Sequence, residues 1–469
     1  MFNNISQIYD YFDTSGSAFL NRIFILISIL LGTSIFFFPV YSVLIGFLAI
    51  VISLFLIINP KYCFYLLIFT IPFADHFWYF GGFPVGIALH DIFVVLSIIA
   101  MVSSIIIKDE KVDFSSCINN WFLILIPLYL YAGFSSTNFD KGILVAAKFV
   151  EAICVYFLAV YYIRTNKVSI SNTLNTLMFT ALIQSTLAVL QALTGSFGCN
   201  NASERGYFGF LGFGPIEVFQ GTGSFDHFAT LGYFLLALLA FYLPFYRFIV
   251  VNKNMGKYLM GIMIFAIVIS YSRGALSGLI LLLLYFLFYS VENKKKLLMT
   301  IIPLGIVILG ILIFLMNSNY ASTLNLRNDI WEMHWAYIVN HPEKLSLGSG
   351  LSSIADTVWQ YMPQTEHSTS FKSWSPHNLC LWYLEEMGIV GLVIIVGFFI
   401  SNFIWSFVKA FSKYKLMRVK YLSIHLVLLT VFYSGINDQV YHEPFMIIFL
   451  MLLLGIVYAK NKQIPIRDI

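Results

Sequence analysis

Apolar runs of about 15–22 residues follow one another almost from end to end of this chain, and no other feature limits its fold as strongly. Coiled into helices, runs of that length match the roughly 30 Å hydrocarbon core of a bilayer. Only 11% of the 469 residues are charged while 59% are apolar, too little charge to cover a soluble protein of this size. A membrane β-barrel shows short alternating strands instead, and that pattern is missing. The expected fold class is an all-α polytopic membrane protein, one integral membrane domain over residues 1–469.

Apolar segments fall at about 23–38, 40–58, 62–78, 88–107, 121–136, 143–163, 174–195, 228–249, 258–272, 275–291, 298–316, 388–408, 421–437 and 444–459, which predicts fourteen transmembrane helices. Basic residues cluster in alternate connections: Lys108 and Lys111; Arg164 and Lys167; Arg247, Lys253 and Lys257; Lys294 to Lys296; Lys409 to Lys420; and Lys460 to Arg467. Lysine and arginine favour the cytoplasmic side, so both termini are expected inside, with an even number of passes. The stretch between Lys257 and Lys294 then crosses twice as a tight hairpin, with YSRGALSG as its turn and Arg273 at the periplasmic surface. A shorter loop over 196–227 and a large, partly helical loop over 317–387, between the eleventh and twelfth helices, become periplasmic. The polar, acidic start is no signal-peptide n-region, and no cleavage is expected. Five cysteines without paired spacing predict neither a disulfide framework nor a metal site, and no basic, aromatic-interleaved tract suggests nucleic acid.

Chemistry concentrates between LNLRNDIWEMHW and SPHNLCLWYLEEMG. Arg327, Trp331 and Trp335 recur every four residues, so they share a helix face, and the two indoles suit a helix lying along the interface. The chain leaves that helix at Pro342, turns at Gly348 and Gly350, and returns to the membrane at His377. Few basic residues fall on the periplasmic side, namely Lys141, Arg205, Arg273, Arg327, Lys344 and Lys372. The arginines among them run against the orientation rule and call for a functional reason.

Other polar residues have plainer readings. His334, His341 and His367 read as solvated loop residues, and Lys148 with Glu151 as an ion pair within the membrane. Asp226 suits a helix N-cap. Asp75, His76, His90 and Asp91 lie at periplasmic helix ends, and Asp438, His442 and Glu443 form a polar turn that could line a site.

The series Arg327, Trp331, Pro342, Gly348-Ser349-Gly350, His377-Asn378 and Glu385-Glu386-Met387-Gly388 resembles the signature of the bacterial O-antigen ligase and O-antigen polymerase superfamily. Ser272-Arg273-Gly274-Ala275 and the GTGSF stretch opening a membrane helix resemble that family's other recurrent elements; the resemblance covers about 205–395. It implies an inverting, metal-independent glycosyltransferase without a cofactor, which moves a glycan from undecaprenyl diphosphate to an acceptor sugar hydroxyl. By resemblance, Arg273 and Arg327 bind the diphosphate and His377 is the catalytic base. Arg205, Asn378, Glu385 and Trp331 are added as further substrate-binding candidates. Guanidinium groups can neutralise a leaving diphosphate by bidentate hydrogen bonding, and a near-neutral imidazole suits proton removal from a hydroxyl. The expected partners are the lipid-linked donor, an acceptor that is either a lipid-linked repeat or lipid A core, membrane lipids and a chain-length regulator. Polymerase and ligase would share this machinery; length and the Arg205 loop lean towards polymerase. A lipid-linked sugar transporter is the competing class, but it would show inverted repeats and midplane charges, whereas here no repeat is seen and polar residues gather on one face.

Overall fold

The structure is a computed structural model, and it describes residues 50–73, 78–79, 86–108, 110, 112–116, 118–195, 205–208, 216–225, 227–248, 253–290, 320–354, 358–361, 376–438, 440 and 443–459. Residues 1–63 form one compact unit, whose described part is helical from residue 50. Residues 64–469 form the second unit, which holds every candidate site residue discussed below.

The helices are α1 (Ile50–Ile58), α2 (Pro60–Thr70), α3 (Leu89–Lys108), α4 (Asn119–Phe134), α5 (Phe139–Arg164), α6 (Ile170–Thr194), α7 (Phe228–Phe248), α8 (Lys253–Ile269), α9 (Arg273–Ser290), α10 (Tyr320–Asn340), α11 (Leu379–Ala410), α12 (Lys415–Asn437) and α13 (Pro444–Tyr458). Six of them, α3, α5, α6, α7, α11 and α12, are long and apolar enough to cross a bilayer, and a bent pair over residues 50–73 makes a seventh if counted as one span. α8, α9 and α13 are shorter apolar helices. The segments expected at 23–38 and 298–316 lie outside the described residues, so fourteen passes are not reached among those described. Two small antiparallel ribbons, β1–β2 (Trp78–Tyr79 with Gly86–Ile87) and β3–β4 (Arg205–Phe208 with Ile216–Phe219), modify the all-helical expectation in two connecting loops.

Local sequence explains the helix ends. The Asn138 side chain accepts from Lys141 N–H at α5, and Ser169 does the same for Asn172 N–H at α6. α6 stops at Gly195, in the left-handed conformation that favours glycine there. α13 is apolar all round and buried from Phe445 to Tyr458, as a helix enclosed by other helices must be. It packs on α5, where Gly455 lies against Ala159 and the Tyr156 backbone.

Side-chain contacts sort the loops into two ends of the bundle. At one end, Arg164 donates to Ser115 O (3.0 Å), Lys167 pairs with Glu110 (2.8 Å), and Lys420 donates to Ala459 O (2.8 Å). The start of α5, the start of α9, the start of α11 and the end of α12 belong to the other end. Tyr433 to Ser277 (2.5 Å) and Tyr285 to His425 (2.8 Å) set α9 antiparallel to α12, so Arg273 and Asp438 share an end. Among the described residues, Arg164, Lys167 and Lys420 of the basic clusters therefore lie at the end opposite the candidate chemistry.

Candidate functional site

The glycine turn and the Glu-Glu-Met-Gly stretch form one joint. Gly388 has φ +67 inside α11, which breaks the helical ladder there. The freed groups are taken up by the loop at 345–350. Ser349 N–H donates to Glu385 O (2.8 Å) and Gly350 N–H to Glu386 O (2.9 Å), while Ile389 N–H donates to Leu345 O (2.8 Å) and Val390 N–H to Ser346 O (3.2 Å). The loop replaces the bonds the broken helix lost, so few buried backbone groups go unpaired. Gly348 and Gly388 each have positive φ, and a Cβ on either would strike the other strand's backbone. On its far side the loop is held by the α4–α5 turn: Leu351 N–H donates to Ala132 O (2.9 Å), Ser136 Oγ to Leu351 O (2.5 Å) and Thr137 N–H to Ser353 Oγ (3.0 Å).

His377 sits where the chain enters α11, half-buried, with φ +46. A left-handed backbone is uncommon for a residue other than glycine, costs energy, and is a frequent mark of functional sites. Its Nδ1 lies 3.4 Å from Asp438 Oδ1, at the end of α12. A carboxylate at Nδ1 favours the tautomer with the proton on that nitrogen, which puts the basic lone pair on Nε2. The next residue, Asn378, caps α11: its Oδ1 accepts from Cys380 N–H (2.9 Å) and Leu381 N–H (3.1 Å), and its Nδ2 donates to Ile436 O (3.3 Å). Asn378, expected at the substrate, thus also caps a helix, because the first helical N–H groups lack partners of their own.

The helix expected from the tryptophan spacing is α10. Trp331 Nε1 donates to Pro376 O (2.8 Å), which ties the helix of Arg327 to the residue before His377. Arg327 is half-buried one turn earlier on the same face. Trp331, Trp335, Val339, Asn378 and Leu381 line a mostly apolar groove of about 720 Å³. Around it a small core of Ile330, Met333, Tyr337, Ile338, Ile354 and Val358 is separate from the main bundle core. Two expectations are corrected here. His334 is no solvated residue: it is wholly buried, with Nδ1 2.7 and 2.8 Å from the two oxygens of Glu385. Glu385, expected to meet substrate, is equally enclosed, because that pairing and the joint surround it. Helix phase puts His334 near the face of Trp331, but only folding brings up the partner that accounts for its burial. Where the chain leaves α10, the exposed Glu343 carboxyl is held below its ordinary range by a backbone N–H and by His341.

Arg273 is exposed at the first turn of α9, after Ser272 Oγ caps Ala275 N–H (3.3 Å). The small residues of Ser-Arg-Gly-Ala have a packing reason, since Gly274 faces Tyr233 and Ala275 faces Gly232 of α7. The GTGSF stretch is likewise buried: Gln191 Oε1 accepts from Thr222 N–H (2.8 Å) and Gly223 N–H (2.7 Å), and Gln184 Oε1 accepts from Ser224 N–H (2.9 Å). These two glutamines of α6 escaped the sequence reading because nothing in their own helix distinguishes them. Asp226 lies outside the described residues, and His227 Nδ1 accepts Ala229 N–H (3.2 Å) at this helix start. Arg205 begins β3, opposite Phe219; His367 and His442 lie outside the described residues.

Among the described residues, His90, Asp91 and Glu151 bring ligand-type atoms within 4.8 Å of one another. The ion pair expected for Lys148 and Glu151 is present at 3.0 Å, and the same ammonium also contacts Asp91. Lys148 thus already provides a positive charge between the carboxylates.

A multi-pass helical membrane protein carrying a broken helix, a strained histidine and arginines at one end is the class this geometry defines. Residues 258–396 match the family model described as O-antigen ligase, in support of the superfamily that the sequence resembles. The matched region holds Arg273, Arg327, the joint and His377, but not Asp438 or GTGSF. The family implies a glycosyltransferase-like enzyme of polysaccharide biosynthesis, using lipid-linked glycan and acceptor substrates. No curated protein matches the chain.

Proposed function

We propose that the protein is an inverting glycosyltransferase that needs no metal and moves an undecaprenyl-diphosphate-linked glycan to an acceptor sugar hydroxyl at the periplasmic face of the inner membrane. The observation that carries this reading is the strained His377 beside Asp438, tethered through Pro376 and Trp331 to the helix of Arg327. The acceptor oxygen attacks the anomeric carbon and its proton passes to His377, while the bond from that carbon to the phosphate oxygen breaks. Asp438 steadies the imidazolium so formed. Negative charge then grows on the leaving diphosphate, and Arg273 and Arg327 neutralise it. The apolar groove along Trp331 and Trp335 suits the donor's isoprenoid stem.

Within this chemistry we assign a surface-polysaccharide polymerase, on chain length and the loop that carries Arg205. The second reading is a ligase that passes the finished chain to lipid A core, favoured by the description of the matched family. A gel of lipopolysaccharide from a deletion strain tests both. A core capped with a single repeat means a lost polymerase; bare core with lipid-linked polymer accumulating means a lost ligase; an unchanged profile overturns the transferase reading.

A further inference from the structure

We infer that His334 and Glu385 are positioning residues for the transfer, a buried pair that sets the rotation of α10 so that Arg327 faces the His377 turn. The inference rests on the transferase reading above.

Both side chains are fully enclosed, and one imidazole nitrogen lies 2.7 and 2.8 Å from the two carboxylate oxygens. Burying such a pair is a poor way to gain stability, since desolvation offsets most of the attraction, and apolar residues of similar size often serve better. What the pair does supply is direction. The surrounding core of Ile330, Met333 and Ile338 holds α10 by non-directional contacts that tolerate a small rotation. A nitrogen centred on two oxygens does not.

The geometry links three elements. Arg327, Trp331 and His334 lie at i, i+4 and i+7, on one face of α10. Trp331 bonds Pro376 O, just before His377, and His334 bonds Glu385 on the second turn of α11. The Glu385 carbonyl also accepts Ser349 N–H (2.8 Å), and Ser349 Oγ lies 2.6 Å from Tyr337 Oη of α10. Glu385 is thus the residue at which α10 and the joint meet, on the helix that follows the base-bearing turn.

The test uses the full-length protein in nanodiscs, with lipid extract of the deletion strain supplying donor and acceptor. His334→Ala and Glu385→Ala should slow transfer at saturating extract by about 100-fold, the scale of a misplacement near 1 Å, with the half-saturating amount little changed. His334→Asn and Glu385→Gln keep a donor and an acceptor in place and should recover most of the rate. In an Arg327→Lys background, His334→Ala should cost little more, because the pair acts through Arg327. Rates that fall only in step with melting temperature, with no rescue by the conservative variants, would reduce the pair to a stabilising contact and overturn the inference. So would independent, multiplying effects of His334→Ala and Arg327→Lys. Failure of the transferase reading looks different: the wild-type protein would then form no glycan product from the extract.

Discussion

Tyr433 Oη donates to Ser277 Oγ at 2.5 Å, and this contact sets the first turn of α9 beside the last turns of α12. Arg273 is four residues before Ser277, and Asp438 is five after Tyr433. Two segments far apart in sequence thereby reach the same end of the bundle, and one carries a candidate diphosphate ligand, the other the partner of the candidate base.

Replacing Arg273, Arg327 or His377 by Ala should abolish glycan transfer while the amount of protein in the membrane stays normal. For His377 the loss expected is on the order of 10²–10⁴-fold, the usual contribution of a general base. Lipopolysaccharide gels and a membrane immunoblot on the same samples decide it, and full-length glycan from any of the three would remove that residue from the mechanism.

Asp438→Asn keeps the size of the side chain but weakens its hold on the Nδ1 proton and the imidazolium. A loss of at least about 10-fold in turnover is expected, with the half-saturating amount of lipid-linked donor little altered. An unchanged turnover would show that Asp438 does not orient His377.

Gly348→Ala and Gly388→Ala should each lower thermal stability. A left-handed backbone alone costs an L-residue roughly 1–2 kcal/mol, and the new methyl also meets backbone across the joint. Gly261 of α8 is the control: nothing lies within 4 Å of a Cβ placed there, and its change to Ala should be neutral or stabilising. Equal melting temperatures for all three variants would refute the joint.

Gln191→Ala strips partners from two buried N–H groups, at roughly 1–3 kcal/mol for each group left unpaired. A drop of several degrees in melting temperature is the expected reading, and no drop would mean that the GTGSF stretch is held by other contacts.

Transfer should continue in EDTA, since arginines are assigned the charge that a divalent ion would otherwise neutralise. Activity lost on chelation and restored by Mg²⁺ would reverse that assignment.

Helix positions were legible because apolar length is a direct signal, and the expected segments from 88 to 195 fall within a few residues of α3 to α6. α11 begins nine residues before the expected start at 388, because Glu385 and Glu386 interrupt its apolar run and are taken up by the joint and His334 rather than by lipid. The tryptophan spacing revealed α10, and the lone Pro-His step at the end of the loop marked His377. His334, Gln184 and Gln191 were not legible. Each is polar because of a partner that only folding brings near, as Glu385 lies 51 residues beyond His334 and Gly223 lies 32 beyond Gln191. Asp438 was singled out only as part of a polar turn, since nothing in its own neighbourhood names a histidine 61 residues earlier as its partner.

The common face of Arg327, Trp331 and His334 makes α10 a phase-sensitive part. Each residue turns an α-helix by about 100° and advances it about 1.5 Å. Deleting one residue between Trp331 and Arg327 would leave the tether to Pro376 intact and swing the guanidinium a quarter-turn away. Chain length in this stretch is consequently under tighter constraint than the identity of its exposed side chains, and a single-codon deletion there would harm the protein more than most substitutions.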